Sequence, residues 1–557
     1  MLPPLLRVLL DEPRLVTKYA SVYATLLKED AAWWKAKQMR RLGYLLSGWS
    51  AGNPGRHSVG PSRLDCRPVM RCRCRPAAGV NPGFRMRSYA ALRYMTLCGI
   101  LPLSACATLP DASHVMPEKS QATSDKKPHP PVEFETARGP VSPGRNAAIL
   151  NKLKKEASPS DILHKHLALE EAISRDSPLV LGNRLVLLED GPATYKAMFA
   201  AIRGARDHIN LETYIFEDGE IGDEFARLLL EKQAAGVQVN IIYDSVGCID
   251  TPKEFFDGLR NAGIQTLEFN PINPANIKKP EWILNNRDHR KLLVVDGKIA
   301  FLGGINISES YSSGSFSRSR KNKGKATEAG WRDTHLQIDG PVVAEFQKYF
   351  LDTWARQHGP SLASRQYFPR LQAQGEAIVR AIGSESGSED HPIYLTLLSA
   401  VGHAERKIHL TNAYFVPDPQ LRKALTDAAQ RGVDVQIILP GKTDSWAVFH
   451  AGRSHYDELL RAGVMLYERR DAVLHSKTAT IDGVWSTIGS TNLDWRSFLH
   501  NDELNAVILG ADFAGQMEAM FARDRAASSL IDHKQWKRRS LFLRMQEWLA
   551  RRFEYWL

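Results

Sequence analysis

Cysteine is scarce in this chain: six residues in 557, four of them among the first hundred. Cys72 and Cys74 lie between arginines with no second pair at ligand spacing, which excludes a zinc site built on them. Past Cys106 only Cys248 remains, so the bulk of the chain has no disulfide framework. Long apolar runs are missing too. No stretch beyond residue 106 is apolar enough to span a bilayer. The same region lacks an excess of either charge. The formal charge of +11 comes from the first 105 residues, with 17 Lys and Arg against 5 Asp and Glu, which leaves 56 against 57 for the remainder. A body so balanced excludes polyanion binding driven by bulk charge. Its 43% hydrophobic and 24% charged residues are ordinary for a globular protein, and its length fits two or three domains.

The N-terminal part reads as targeting sequence and not as fold. Residues 1–85 form an extension whose Arg/Pro/Gly/Cys-rich stretch from Arg56 to Arg85 has no apolar period. Residues 86–106 have an Arg-bearing start, a short apolar run and small residues before Cys106, the layout of a secretory signal peptide. Leu103-Ser104-Ala105-Cys106 resembles a bacterial lipobox, which implies cleavage before Cys106 and lipid on that cysteine. On this reading translation begins at Met86 or Met95, and the protein is anchored in the bacterial envelope facing the periplasm. Residues 107–165, with recurrent prolines and no sustained apolar period, read as a disordered linker.

What is present in abundance is internal likeness. The pattern His-x-Lys-x-x-x-x-Asp occurs as His289, Lys291 and Asp296 and again as His475, Lys477 and Asp482. Gly303, Gly304 and Asn306 follow the first copy, and Gly489, Ser490 and Asn492 the second, all at one separation of 186 residues. A chance match on a solvated strand does not account for that agreement. Around the motifs, Ile209–Phe216 and Gly236–Asp244 in one half parallel Ile408–Phe415 and Gly432–Leu439 in the other, each pair separated by a helical pattern. Short apolar runs of this kind belong to strands buried on both faces, and each motif ends at an Asp-Gly turn. The expected fold is therefore α/β: two repeated domains, residues 166–370 and 371–557, each a mixed sheet flanked by helices, related by a pseudo-twofold axis. Residues 308–330 read as a flexible Ser/Lys/Arg-rich surface insert, with a headgroup contact as the alternative. Residues 533–557 combine seven Lys and Arg with six aromatics, which suits either a membrane interface or a terminal helix packed on the body.

The motif chemistry is that of a phosphodiester exchanged in two displacements. Neutral imidazole attacks phosphorus, and a second imidazolium protonates the leaving alkoxide and then takes the proton of the incoming hydroxyl. Lys291 and Lys477, two residues along the strands from their histidines, share a face with them and neutralise phosphate charge without a metal. Asn306, Ser490 and Asn492 can donate to phosphate oxygens, while the glycines permit close approach. Asp296 and Asp482, counted with the catalytic motif, are acceptors only when ionised and take a structural role at the strand ends. His335, His455 and His500 lack ligand spacing with a carboxylate, so no metal is expected. Asp244, at a strand's C-terminal end, reads as a site residue or a structural cap.

With these residues the chain resembles the phospholipase D superfamily. Gly489-Ser-Thr-Asn-Leu-Asp-Trp-Arg-Ser497 with Asn501-Asp-Glu503, and Trp331-Arg-Asp-Thr-His335 with Asp339-Gly-Pro341, are similar to bacterial cardiolipin synthases. The resemblance implies a phosphohistidine intermediate, no cofactor, His289 as nucleophile, His475 as acid, and Asp333 and Glu503 each orienting one histidine. Gly304 departs from the superfamily's usual serine. The implied activity is a phosphatidyltransferase making cardiolipin from phosphatidylglycerol and a second phospholipid, phosphatidylethanolamine among the alternatives, at a membrane surface and as a monomer. Hydrolysis by a phospholipase D, a nuclease and a catalytically silent lipid-binding lipoprotein are the competing readings. No nucleic acid is expected as partner.

Overall fold

Strands in both halves are buried on both faces, and their pairing shows why. In the computed structural model the described residues are 108–117, 131–174, 176–272, 285–315 and 330–557. The N-terminal extension, the signal segment with Cys106 and most of the insert (residues 316–329) lie outside them. The first half contains β1 (Leu179–Glu189), β2 (His208–Thr213), β3 (Gln238–Asp244), β4 (Gln265–Phe269), β5 (Lys291–Val295), β6 (Ile299–Gly303) and β7 (Thr334–Asp339). The second contains β8 (Ala377–Ser384), β9 (Lys407–Asn412), β10 (Asp434–Pro440), β11 (Met465–Arg469), β12 (Lys477–Ile481), β13 (Trp485–Gly489) and β14 (Asn501–Leu509).

Hydrogen bonding runs in the order β4-β3-β2-β5-β6-β7-β1 and, through an antiparallel β1–β8 contact, on to β8-β14-β13-β12-β9-β10-β11. The order reads the same from either edge. In each half the β2–β3–β4 or β9–β10–β11 trio is parallel and the rest antiparallel, a mixed sheet whose two copies meet at the β1–β8 seam, as a pseudo-twofold axis there requires.

Alternation along the strands divides the core into layers. Leu293 and Val295 of β5 face an outer core with Phe225, Leu229 and Ile241. Leu292 and Val294 face the opposite way, into a central core shared with Phe346 and Phe350 of one half and Ile488, Leu504, Phe513 and Met517 of the other. The second half's outer core gathers Ile408, Leu410, Ile437, Leu421 and Ile481. Into it dock Leu153, Ala157, Ile162 and Leu167, and with them the segment read as a disordered linker is corrected: helix Pro143–Ala157 is ordered and packed. Pro143 sits in the first turn, where its missing N–H costs nothing, and Ile149, Leu153 and Ala157 form one apolar face at helical spacing. Val115, in the short turn Ser113–Val115, joins the same core.

Both motif aspartates stand at positive φ in the turns after β5 and β12, each followed by a glycine at positive φ. The Asp296 carboxylate accepts from the backbone N–H groups of Arg206, Asp207 and His208, at 2.8–3.1 Å. The Asp482 carboxylate accepts from Glu405, Arg406 and Lys407 at 2.8–3.0 Å, and from the Ser160 hydroxyl at 2.5 Å. Each therefore ties the end of a motif strand to the start of the neighbouring antiparallel strand, β2 or β9. Asp296→Ala and Asp482→Ala should each lower stability by about 2–4 kcal/mol through stranded N–H groups, with the Asn variants losing less; thermal unfolding reads the difference.

Candidate active site

The two motifs meet because each histidine is held by the opposite half. The short strand Arg287–Asp288 pairs in parallel with Asn501–Asp502, and the His289 N–H donates to the Asp502 carbonyl at 2.9 Å. On the other side Arg332 bridges Leu474, and the His475 N–H donates to the Arg332 carbonyl at 2.7 Å. The side chains cross in the same way. His289 Nδ1 lies 3.0 and 3.1 Å from the Glu503 oxygens, and His475 Nδ1 lies 2.8 Å from Asp333 Oδ2. Asp333 and Glu503 immediately follow Arg332 and Asp502, so one chain crossing positions both the backbone bond and the carboxylate. Arg332, fully buried, makes a two-pronged contact with Asp524 at 2.8 and 2.9 Å, and Arg290 donates to the Glu503 carbonyl at 3.2 Å.

The lysines point to the histidines' face. Lys291 Nζ donates to the His289 carbonyl at 2.5 Å and lies 5.1 Å from the Tyr214 ring centre. Lys477 Nζ donates to the His475 carbonyl and is 3.0 Å from His475 Nδ1. Burial dominates the electrostatics. It holds the His289 imidazole at a pKa of about 4, Lys291 adding to the effect against the pull of Glu503. Burial likewise lowers Lys291 to about 7 and Lys477 to about 8, and pushes His475 below its ordinary value with help from Lys477. Glu503 is held at about 2: burial opposes its charge, but His289, Lys291 and the Ser490 hydroxyl outweigh it. At neutral pH the ring of His289 is thus neutral, its Nδ1 proton directed at an ionised carboxylate and its Nε2 carrying the lone pair.

The expected phosphate donors are placed unequally. Ser490 donates its proton to Glu503 at 2.5 Å, so it supports the carboxylate and is not free for phosphate. Asn306 accepts from the Ile215 N–H at 3.3 Å through its carbonyl oxygen, and its side chain also hydrogen-bonds Tyr311. Asn492 is buried with its carbonyl oxygen unpartnered. Gly304 has a steric reason: a Cβ there would stand 2.2 Å from Asp333 Oδ1. Asp244 acts as a cap, accepting from the N–H groups of Val246, Gly247 and Asp288. Of the histidines set aside, His455 pairs with Glu554 at 3.0 Å, His500 packs on Tyr555, and His335 is buried. No cluster of three or more metal-ligating side chains occurs among the described residues.

Several residues around the histidines escaped the sequence reading. Tyr214 and Tyr414 bring their rings to 5.2 Å from His289 and 6.1 Å from His475, and the Tyr414 hydroxyl donates to Asp444 at 2.7 Å. Their matched places after β2 and β9 were the available signal. Tyr311, fully buried, sets its hydroxyl 3.0 Å from His475 Nδ1, and Trp331 packs on the same ring at 5.3 Å. Tyr311 comes from the start of the insert read as surface loop and Trp331 directly follows its end, so that reading is corrected at its start: Ser315 also bonds Asp190 through its N–H and hydroxyl.

Comparison with known proteins agrees with this geometry. A family described as "Cardiolipin synthase, PLD-like domain" matches residues 198–354 and 397–525. Cardiolipin synthase of Geobacillus kaustophilus is 35% identical over 376 residues, 67% of this chain and 72% of the relative. That of Listeria monocytogenes serotype 4a is 32% identical over 392 residues, 70% and 78% of the two chains. Among solved structures, phosphatidylserine synthase of Haemophilus influenzae shares the fold, with a TM-score of 0.50 at 14% identity over 70% of this chain and all of that one. With both motif halves inside the matched segments, the chain belongs to the cardiolipin synthase, PLD-like domain family of the phospholipase D superfamily.

Proposed function

We propose that the protein transfers a phosphatidyl group from one phospholipid to a hydroxyl of phosphatidylglycerol, forming cardiolipin through a phosphohistidine. The observation that carries this reading is the crossed pair of imidazoles, each with Nδ1 on a carboxylate of the other half and a buried lysine beside it. His289 Nε2 attacks the donor phosphorus. As the P–O bond to the headgroup breaks, His475 gives its proton to the departing oxygen, which leaves as glycerol when the donor is phosphatidylglycerol and as ethanolamine when it is phosphatidylethanolamine. His475, now neutral, takes the proton of the acceptor hydroxyl, whose oxygen forms the new P–O bond while the P–N bond breaks. Lys291 and Lys477 balance the phosphate charge, and Asn306 donates to its oxygens. Asp333 and Glu503 orient the rings.

Both halves of the site belong to one chain, so a monomer suffices. No helix among the described residues is long and apolar enough to cross a membrane. We assign attachment to Cys106 and a periplasmic orientation, on the lipobox resemblance. The balanced charge of the body favours lipid over nucleic acid.

Radiolabelled phosphatidylglycerol supplied with and without phosphatidylethanolamine tests the reaction: cardiolipin is expected, phosphatidic acid would assign a hydrolase, and lipid binding with no product would leave a binding protein. Replacing His289 by Ala should abolish turnover by about three orders of magnitude or more. His475→Ala should still form phosphoenzyme from a phosphatidyl ester whose leaving group needs no proton; equal loss with both donors would reverse the assignment. The pH profile of kcat/KM should rise as His289 loses its proton near pH 4, and fall first as His475 loses its own below the ordinary histidine range and then as Lys291 and Lys477 lose theirs, between about 7 and 8. In kcat the alkaline limb should move upward, because bound phosphate stabilises both ammonium groups. A profile flat across pH 7–9 would remove the lysines from the charge balance.

A further inference from the structure

The C-terminal helix Leu541–Arg551 is turned inside out relative to an ordinary surface helix. Its protein-facing side carries Glu547 and Ala550, both buried, with Glu547 bonded to Arg539 at 2.7–3.0 Å. Its outer side carries Leu541, Met545 and Trp548, spaced i, i+4 and i+7, which are 80%, 50% and 58% exposed. Phe553 and Trp556 extend the apolar surface beyond the helix. Large apolar side chains concentrated on one outward face mark a surface that something covers.

Charge and position say what covers it. Arg538, Arg544 and Arg552 border the face with no carboxylate of the described residues paired to them, and Arg552 lies 4.9 Å from the Trp548 ring centre. Aromatic rings interleaved with unpaired cations match the headgroup level of a bilayer bearing negative charge. The face is also fastened to the site. The Arg496 N–H donates to the Leu557 carbonyl at 3.1 Å, Tyr555 packs on Trp495 and His500, and Arg496 stands two residues after the second motif's Asn492–Asp494 stretch. The helix packs against Trp446–Arg453, which begins two residues after Asp444, the acceptor of the Tyr414 hydroxyl.

We propose that this outward face seats the protein on an anionic phospholipid bilayer, with the two-histidine cleft at the headgroup plane. The proposal rests on the phosphatidyltransferase reading for its purpose, but its test does not depend on turnover. Side-chain oxidation footprinting of the full chain reads Met545 and Trp548 directly. Vesicles containing phosphatidylglycerol should reduce oxidation at both severalfold, and pure phosphatidylcholine vesicles should leave it unchanged. The triple variant Leu541→Ser, Met545→Ser and Trp548→Ser should bind phosphatidylglycerol vesicles at least about tenfold more weakly while keeping its turnover of monomeric short-chain phosphatidylglycerol. Arg544→Gln with Arg552→Gln should weaken vesicle binding and reduce its salt dependence. Oxidation unchanged by either vesicle, or already suppressed without lipid, would overturn the proposal, the second result pointing to a protein covering. So would a triple variant with undiminished affinity. Absence of turnover in the unaltered chain would count against the reaction and leave the surface to be judged by footprinting.

Discussion

The site depends on a crossing. Each histidine receives its main-chain acceptor and its Nδ1 carboxylate from the half of the chain that does not contain its own motif. Neither half could orient its own imidazole alone, because Glu503 belongs to the second and Asp333 to the first. The β1–β8 seam and the shared central core therefore do more than join two similar bodies. They fix the distance between two carbonyl acceptors and two rings, and the fully buried Arg332–Asp524 pair clamps the same crossing. Paired burial makes such a clamp tolerable, since removing one partner would leave the other charged and dry.

Burial also explains the chemistry. Two lysines, two carboxylates and two imidazoles share a pocket nearly closed to water, where every charge is costly unless another compensates it. The ammonium groups are depressed towards neutrality, the His289 ring is held neutral, and the His475 ring is pushed below its ordinary value. A phosphodiester entering this pocket brings the anion that the lysines lack. On the proposed reaction, substrate binding and restoration of lysine charge are one event, which would concentrate positive charge at the phosphorus only when a substrate is present.

Much of this was legible in residue order, and what was not has physical reasons. The 186-residue repeat located His289, Lys291, His475 and Lys477, because strand periodicity of two fixes which side chains share a face. The aspartates' bonding to three successive N–H groups each matches their acceptor-only chemistry. The crossing itself left no local trace: partners 142 and 214 residues apart are joined by topology, and spacing carries no record of which carboxylate serves which ring. Tyr311 was hidden because a Ser-rich composition reads as solvent loop whatever one buried ring does. The ordered helix from Pro143 was hidden by counting its proline as a breaker, although a first-turn proline breaks nothing.

The departures from perfect repetition carry the last step. In the second half Ser490 donates to the long Glu503 side chain, whereas in the first the shorter Asp333 lies against Gly304 with no room for a Cβ. Serine with glutamate and glycine with aspartate are two solutions to placing a carboxylate at one height above the sheet. They are not equivalent for the rings. His289 Nδ1 meets a single anionic partner, which fixes one tautomer and keeps Nε2 aimed outward, as a group carrying a covalent phosphoryl must be. His475 Nδ1 lies within 3.0 Å of three groups, Asp333, the Tyr311 hydroxyl and the Lys477 ammonium, and a single ring nitrogen cannot satisfy an acceptor and a donor at once. When Lys477 turns to a phosphate, His475 loses a partner at Nδ1, whereas the His289 Nδ1 contact with Glu503 involves no lysine. On the proposed reaction, a ring whose Nδ1 partners change as substrate arrives suits the acid and base, and the ring whose carboxylate partner stays suits the nucleophile.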